Sequence, residues 1–381
     1  MADRRVAVPL PFAPPGTARR LDVLRFGTPG ARPKAYLQAG LHADELPGML
    51  AARYLAERLA ALDADGQVRG EVVLVPAANP IGLGQTVLDR SIGRFELGGA
   101  GNFNRGYPDL AAAVAERLAG RLPADAPALA AGAREALGAV LAERPPRNAM
   151  EGLRHALMTL SHDADIVLDL HCDTAAPVHV YLGTPLWPDA EDLVARLGAE
   201  FVFLAEDSGG NPFDEACSAF WWRLAALLGD AGAKVPPACL SATVELRGAG
   251  DVDQATARRD ASALVDFLAG RGVLAAPAPP APDFTGAVRP LAGVEMVRAP
   301  ADGIVLYRVH LGETVAPGTL LAEIVDPADP FAPTLPVHAG IEGPVWSIAE
   351  PGQRLVRAGG VIAKIAGESP LPGKDGNLLT A

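Results

Sequence analysis

Lys34-Ala-Tyr-Leu-Gln-Ala39 is a short apolar run, and Gly40-Leu-His42-Ala-Asp-Glu45 follows it directly. A helical pattern then runs from about Leu46 to Leu62. This is strand, turn and helix, and the unit recurs. Further strands are expected at Glu71–Pro76, Ala164–Leu170, Val178–Leu182, Phe201–Leu204 and Ala242–Leu246, and helical patterns at Ala190–Leu197, Asp214–Leu228 and Gln254–Leu268. Strands alternating with helices of this length imply βα units, and so an α/β fold with a mixed, mostly parallel sheet flanked by helices. Between about residues 109 and 162 an Ala/Leu/Arg-rich stretch carries apolar residues at helical spacing, broken near Pro123 and at Pro145–Pro146. It reads as an insertion of two or three helices with a packing role.

The pattern changes after residue 270. Residues 271–290 have an Ala/Pro-rich core, which favours an extended linker. Beyond it, 291–381 reads as all-β, and it contains a weak repeat. Gly303-Ile-Val-Leu-Tyr-Arg-Val-His-Leu-Gly312 aligns with Gly343-Pro-Val-Trp-Ser-Ile-Ala-Glu-Pro-Gly352, and each is followed by a closing apolar strand. Two similar units suggest a small barrel-sandwich with pseudo-twofold symmetry, of the kind seen in lipoyl and biotinyl carriers. Such carriers need an exposed lysine at a hairpin tip. The only lysine between 297 and 365 is Lys364, at the end of the last strand, so a cap is expected rather than a carrier. The resulting division is a domain over 1–270, a linker over 271–290 and a β-rich cap over 291–381.

Composition narrows the function. The 381 residues are 49% hydrophobic and 20% charged, a globular balance, with a formal net charge of −12. No Lys/Arg-rich run is present, so neither nucleic acid nor an anionic membrane is an expected partner. No apolar stretch is long enough to span a bilayer, and prolines interrupt the first residues where a signal peptide would be apolar. The three cysteines, Cys172, Cys217 and Cys239, lack CxxC spacing, which fits a reducing cytoplasm.

Four fragments carry chemistry. His42 and Glu45 lie three apart at the carboxyl end of the first strand, where open α/β sheets bind ligands. Both can face one ion, and a third ligand would complete a catalytic zinc site of the His₂Glu type. Asp169-Leu-His171-Cys-Asp173 ends another strand. Its Asp169 and His171 are either a hydrogen-bonded core pair, or a third ligand with a carboxylate orienting it from behind. In Ala242-Thr-Val-Glu245-Leu-Arg247, Glu245 interrupts an apolar strand and is either at the site or salt-bridged. Beside a metal it can serve as general base. Gly101-Asn-Phe-Asn104-Arg105-Gly-Tyr-Pro offers a guanidinium fork and an amide suited to a carboxylate, or else is a surface turn. His179 follows the His171 strand and is expected near the site. His155, His162, His310 and His338 have no clustered partners. Trp221 and Trp222 read as core, and Cys172 as a small buried residue.

The order H-x-x-E, N-x-N-R, D-x-H, E-x-R resembles the succinylglutamate desuccinylase/aspartoacylase family, zinc carboxypeptidase-like deacylases. The motifs span about Tyr36–Gly248, and the C-terminal β region also looks like that family's cap. The resemblance implies His42, Glu45 and His171 as ligands of one Zn²⁺ per chain and Glu245 as the catalytic glutamate. It implies Asn104 and Arg105 as the grip on the substrate's α-carboxylate. Arg94 would polarise the scissile carbonyl, with Arg90 as the alternative. Tyr307 is available from the C-terminal region but has no supporting motif. The implied activity is hydrolysis of the amide bond of an N-acyl amino acid, or a related small carboxylate-bearing amide, by zinc-activated water with Glu245 as general acid/base. A metallocarboxypeptidase acting on short peptides is the alternative. The partner is a small molecule, and related enzymes are often homodimers.

Overall fold

The computed structural model describes residues 4–120, 122, 125–229, 235–374 and 376–378. Its centre is a nine-stranded sheet. In spatial order the strands are Arg5–Leu10, Arg19–Gly27, Glu71–Val75, Lys34–Ala39, Ile166–Asp173, Leu240–Gly248, His179–Gly183, Phe201–Ala205 and Ala287–Pro290. Five of the eight pairings are parallel. The first two strands run antiparallel to their neighbours, and so does His179–Gly183 against Leu240–Gly248.

Alternation of side chains along each strand builds two cores. Ala35, Leu37 and Ala39 share one core with Val72, Leu74, Leu168 and Leu170. Helices Leu46–Ala64, Glu191–Leu197 and Gln254–Gly270 cover that face through residues at helical spacing, such as Ala51, Ala52, Leu55 and Leu59. Tyr36, Val73, Val75 and Val167 face the other side, beneath helices Ala111–Leu118, Ala126–Ala142, Ala149–Ser161 and Phe213–Leu227. The Ala-rich insertion is therefore three helices that roof one face of the sheet. The break expected at Pro123 lies outside the described residues. At Gly48 the first long helix meets the sheet: a Cβ there would stand 2.7 Å from the Leu170 carbonyl oxygen, so only glycine lets the helix lie this close to the Ile166–Asp173 strand.

The stretch 271–290 ends in Ala287–Pro290, which pairs in parallel with Phe201–Ala205 as the outermost strand of the main sheet. Pro290, which lacks an N–H, is tolerated on such an edge. The C-terminal region is all antiparallel. One sheet orders Val294–Arg298, Val361–Ala366, Gly343–Ile348 and Thr314–Val315. The other orders Leu335–His338, Leu320–Val325, Gly303–Tyr307 and Leu355–Val356. The repeat is visible in the pairing. Gly303–Tyr307 pairs with its own following strand and with the other unit's Leu355–Val356, while Gly343–Ile348 pairs with its own following strand and with Thr314–Val315. The two leading glycines take the same backbone conformation, φ 156° and 154°, and a Cβ on either would press into a facing carbonyl oxygen at 2.5 or 2.4 Å.

The two regions meet along an aromatic seam. Trp346, fully buried, lies 4.6 Å from both His179 and Phe203, centroid to centroid. Ala175 and Ile348 exchange backbone hydrogen bonds of 3.1 Å across the seam. Trp346→Ala is expected to destabilise the protein by about 3–5 kcal/mol, read as a shift in the denaturant midpoint. A change within about 0.5 kcal/mol would show that the seam contributes little.

Candidate metal centre and its cavity

The turn Gly40–Glu45 leaves the carboxyl end of the Lys34–Ala39 strand, and parallel pairing of Ala39 with Leu170 sets it beside His171. His42, Glu45 and His171 are all buried, and their donor atoms lie within 4.8 Å of one another. Glu45 Oε1 is 2.9 Å from His42 Nδ1 and Oε2 is 2.8 Å from His171 Nδ1. Oε2 also accepts the Cys172 N–H at 3.1 Å. The opposite ring nitrogens face acceptors. His42 Nε2 stands 2.9 Å from Asn102 Oδ1, which also accepts the Asn104 N–H. That backbone donor identifies the Asn102 atom as the oxygen, so Nε2 carries a proton and Nδ1 is the nitrogen that faces Glu45. His171 Nε2 is 2.9 Å from Asp169 Oδ2, misaligned for a hydrogen bond. Two imidazole nitrogens and a carboxylate converging in a buried space fit a cation, and this donor set suits a divalent ion with a fourth position open.

Electrostatics follow from this crowding. Burial opposes ionisation of Glu45, but His42 and His171 outweigh it and hold its pKa well below the usual carboxylate range. Burial lowers His42, whereas Asp169 and Glu45 overcome burial at His171 and raise it well above the ordinary imidazole value. Behind His171 a buried chain runs from Asp169 Oδ1 to Gln38 Nε2 at 3.0 Å, and from Gln38 Oε1 to the Tyr36 hydroxyl at 2.7 Å.

Register brings in Glu245. It pairs with His171 on one side and His179 on the other, so the three form a row across adjacent strands. Its Oε2 is buried with no hydrogen-bond partner among the described residues. Burial and the Glu45 charge push its pKa up to about 8. Arg247, by contrast, takes φ 68° and turns away to pair with Asp260 on the last helix of the α/β region. The same motif thus supplies one residue to the cavity and one to the scaffold.

A cavity of about 300 Å³ opens from these groups. Arg94 lines it and donates to Glu45 Oε1 at 2.7 Å, whereas Arg90 is exposed on the small hairpin pairing Thr86–Val87 with Arg90–Ser91 and is not part of the wall. Backbone contact at Gly93 holds Arg94 in place: a Cβ there would lie 2.4 Å from the Asp44 nitrogen. Asn104 and Arg105 also line the cavity. Asn104 Oδ1 accepts the Phe213 N–H at 2.8 Å, so what it offers the cavity is its NH₂ group. Arg105 donates to the Asn104 carbonyl and has no carboxylate within ion-pair distance among the described residues.

The far wall comes from the C-terminal region, through Met296, Ser347, Ile348, Gln353 and Lys364. Lys364 pairs with Asp173, two residues beyond His171. Lys364 overcomes the burial of Asp173 and holds its carboxyl far below the usual range. His179 is fully buried against Trp346 and Tyr181, and burial lowers its pKa to about 4. Tyr307 is not in the wall; its hydroxyl donates to the Ile362 carbonyl and accepts from the Ala349 N–H within the β region. Cys172 lines the cavity, but burial raises its thiol pKa, so it is no thiolate. Sequence reasoning missed Asp173, Lys364, Ser208, Asp214 and Glu215 as wall residues. The acidic pair Asp214-Glu215 was the one available signal, and it also reads as an ordinary first helical turn.

Residues 31–128 match the family model described as the succinylglutamate desuccinylase/aspartoacylase catalytic domain. A succinylglutamate desuccinylase/aspartoacylase protein of Shewanella frigidimarina NCIMB 400 superposes with a TM-score of 0.82 at 23% identity, over 95% of this chain and 96% of that one. A family protein of Shewanella amazonensis SB2B gives 0.81 at 24% identity, over 95% and 98%. The product-bound ectoine utilization protein EutE (DoeB) of Ruegeria pomeroyi gives 0.67 at 20% identity, over 96% and 95%. No curated protein matches. The resemblance drawn from the four motifs therefore stands, and the fold is that of these proteins. No helix among the described residues is long and apolar enough to cross a membrane.

Protein supplied with a divalent metal is expected to hold about one ion per chain, and His171→Ala to lose it, by elemental analysis. Gln38→Leu, which cuts the chain behind Asp169, should weaken metal affinity about 10–100-fold in chelator competition. Unchanged affinity would show that the buried chain does not orient His171.

Proposed function

We propose that this protein is a zinc-dependent deacylase that hydrolyses the amide bond of an N-acyl amino acid or a related small amide bearing a carboxylate. The observation that carries the reading is the register-fixed placement of Glu245 beside His171, within a cavity also lined by His42 and by Arg105, which has no ion-pair partner among the described residues. The matched family model supports the reaction class. In this reading the α/β hydrolase domain is 1–270, joined through 271–290, whose last four residues complete its sheet, to a cap formed by 291–381. Three buried, free cysteines support a reducing, cytoplasmic setting.

His42, Glu45 and His171 would hold the zinc ion, which when bound supplies positive charge that acidifies water and polarises a carbonyl oxygen. Arg105 and the Asn104 NH₂ would receive the substrate carboxylate, the fork of the guanidinium fixing its orientation. Arg94, beside Glu45, would face the scissile carbonyl and stabilise the negative charge that develops on its oxygen. Glu245 would take the proton from the attacking water and pass it to the leaving nitrogen. Its buried Oε2 has no hydrogen-bond partner among the described residues, which suits a group that must gain and release a proton. The cap would exclude bulk water. It also leaves little room for a long peptide, which favours small amides over carboxypeptidase substrates.

Glu245→Gln is expected to retain metal and lose about 10²–10⁴-fold in kcat on a responsive acyl-amino acid. Near wild-type turnover would remove Glu245 from the mechanism. Faster hydrolysis of short peptides than of acyl-amino acids would favour the carboxypeptidase alternative.

A further inference from the structure

The chain beyond the last strand turns back toward the carboxylate grip. After Val361–Ala366 the Leu371 N–H donates to the Ala292 carbonyl at 3.0 Å, and the Lys374 ammonium donates to the Val294 carbonyl. Residues 376–378 then lie on the loop 208–211, where the Leu378 N–H donates to the Ser208 carbonyl at 2.7 Å. The Leu378 side chain is 8% exposed and packs with Phe201, Phe203, Leu291 and Trp346 in the seam between the two regions. Residues 376–378 are not part of the cavity wall.

The loop between them and the cavity is one backbone thick. Gly209 and Gly210 have φ 85° and 75°, and Asn211 follows at 46°. Three successive left-handed residues, two of them glycines with the most conformational freedom to lose, keep this shape only while contacts hold it. Those contacts come from both sides. A Cβ on Gly209 would stand 2.7 Å from Asn377 Cα and 2.9 Å from the Gly376 carbonyl oxygen, whereas a Cβ on Gly210 would stand 2.7 Å from Arg105 Cδ. Adjacent glycines thus let the loop fit between 376–378 and the arginine. The loop in turn carries the grip. The Gly106 N–H donates to the Gly210 carbonyl at 2.7 Å, the Tyr107 N–H to the Asn211 carbonyl at 3.0 Å, and the Phe213 N–H to Asn104 Oδ1 at 2.8 Å. Among the described residues the Arg105 guanidinium bonds only to the adjacent Asn104 carbonyl, at 2.6 Å. Its position therefore depends on the loop behind it.

We infer that Leu378 is a positioning residue for substrate binding: seated in the seam, it clamps 376–378 onto the loop 208–211, and the loop holds Arg105 and Asn104 where they receive the substrate carboxylate. This rests on the reading of Arg105 and Asn104 as the carboxylate grip. The clamp touches neither Glu245 nor the metal ligands. Its loss therefore weakens binding of the carboxylate in ground state and transition state alike, and acts on KM rather than on kcat.

Hydrogen exchange and kinetics on the full chain test this together. Leu378→Ala keeps the backbone donor and removes the side chain that seats it. In that variant the Gly106 and Tyr107 amides should exchange about tenfold or more faster than in the wild type, while those of Ile166–Asp173 keep their rates. On the fastest substrate in a panel of N-acetyl-L-amino acids, KM should rise about 5–20-fold with kcat changed less than about twofold. Leu378→Met, which refills the space, should restore both. Val305→Ala, which opens a cavity in the separate core of the C-terminal region, should move neither. Unchanged exchange at Gly106 and Tyr107 would overturn the inference. So would an unchanged KM in Leu378→Ala, or an equal rise in Val305→Ala, because the effect would then be general loosening. The two readings fail separately. Ordinary hydrolysis with the same KM in Leu378→Ala would remove the clamp and leave the deacylase. Hydrolysis of no N-acetyl amino acid, with the exchange coupling intact, would remove the deacylase and leave the clamp.

Discussion

The Glu45 carboxylate is the constraint on which the rest of the centre depends. A buried carboxylate must be surrounded by donors or cations, and this one is met from four directions: two imidazoles, the Arg94 guanidinium and the Cys172 N–H. Satisfying it fixes the turn Gly40–Glu45 against the end of the Ile166–Asp173 strand, and fixes Arg94 above both. Three backbone features make this possible. Parallel pairing aligns the two strand ends, and Gly48 lets the following helix lie on Leu170. Gly93 lets the loop carrying Arg94 touch Ala43 and Asp44. The two glycine contacts are close approaches that a side chain would prevent.

The C-terminal β region is joined to that same strand end. Beyond His171, Asp173 receives Lys364, Thr174 Oγ1 donates to the Ile348 carbonyl, and Ala175 bridges to Ile348. Lys364 also lies 4.8 Å from the Trp346 ring, so one cation is shared by a carboxylate and an aromatic face. The seam therefore contains a paired charge enclosed by apolar rings, an arrangement that holds only while the regions remain together. A lysine that carrier domains would place at an exposed tip is here partly buried in the seam and paired with Asp173.

Strong local patterns were legible in the sequence. The βα alternation and the Lys34–Ala39 strand, observed with the expected ends, came from apolar runs bounded by turns. The repeat of Gly303 and Gly343 could be seen because both units need the same unusual backbone. The first two strands were not legible. Pro9 lies inside Arg5–Leu10 with Pro11, Pro14 and Pro15 just after it, and Arg19–Gly27, second from the sheet edge, mixes charged with apolar residues, where a half-exposed strand gives a weak signal. The placement of Ala287–Pro290 in the main sheet was equally hidden, since Ala/Pro composition reports extension but not pairing. In the site, spacing could bring His42, Glu45 and His171 into consideration. It could not decide between Arg90 and Arg94, because a hairpin and a tight glycine contact determine which one faces inward. Nor could it anticipate Lys364 or Ser208, whose positions depend on contacts made far along the chain.

The antiparallel strand His179–Gly183 shows how topology, more than residue type, assigns roles here. Because it runs against Leu240–Gly248, its first residue is level with Glu245, and His171, Glu245 and His179 stand in one row. The two histidines then diverge. His171 has two carboxylates at hydrogen-bond range, which favour positive charge at that position and so suit a metal ligand. His179 has only Asp173 nearby, at 3.9 Å, and that carboxylate is already neutralised by Lys364. Enclosed by Trp346, Phe203 and Tyr181, it stays neutral near pH 7, with its pKa lowered to about 4. One imidazole is thereby prepared to meet a cation and the other to form an uncharged wall. The C-terminal region enforces the difference by placing a lysine on the carboxylate between them.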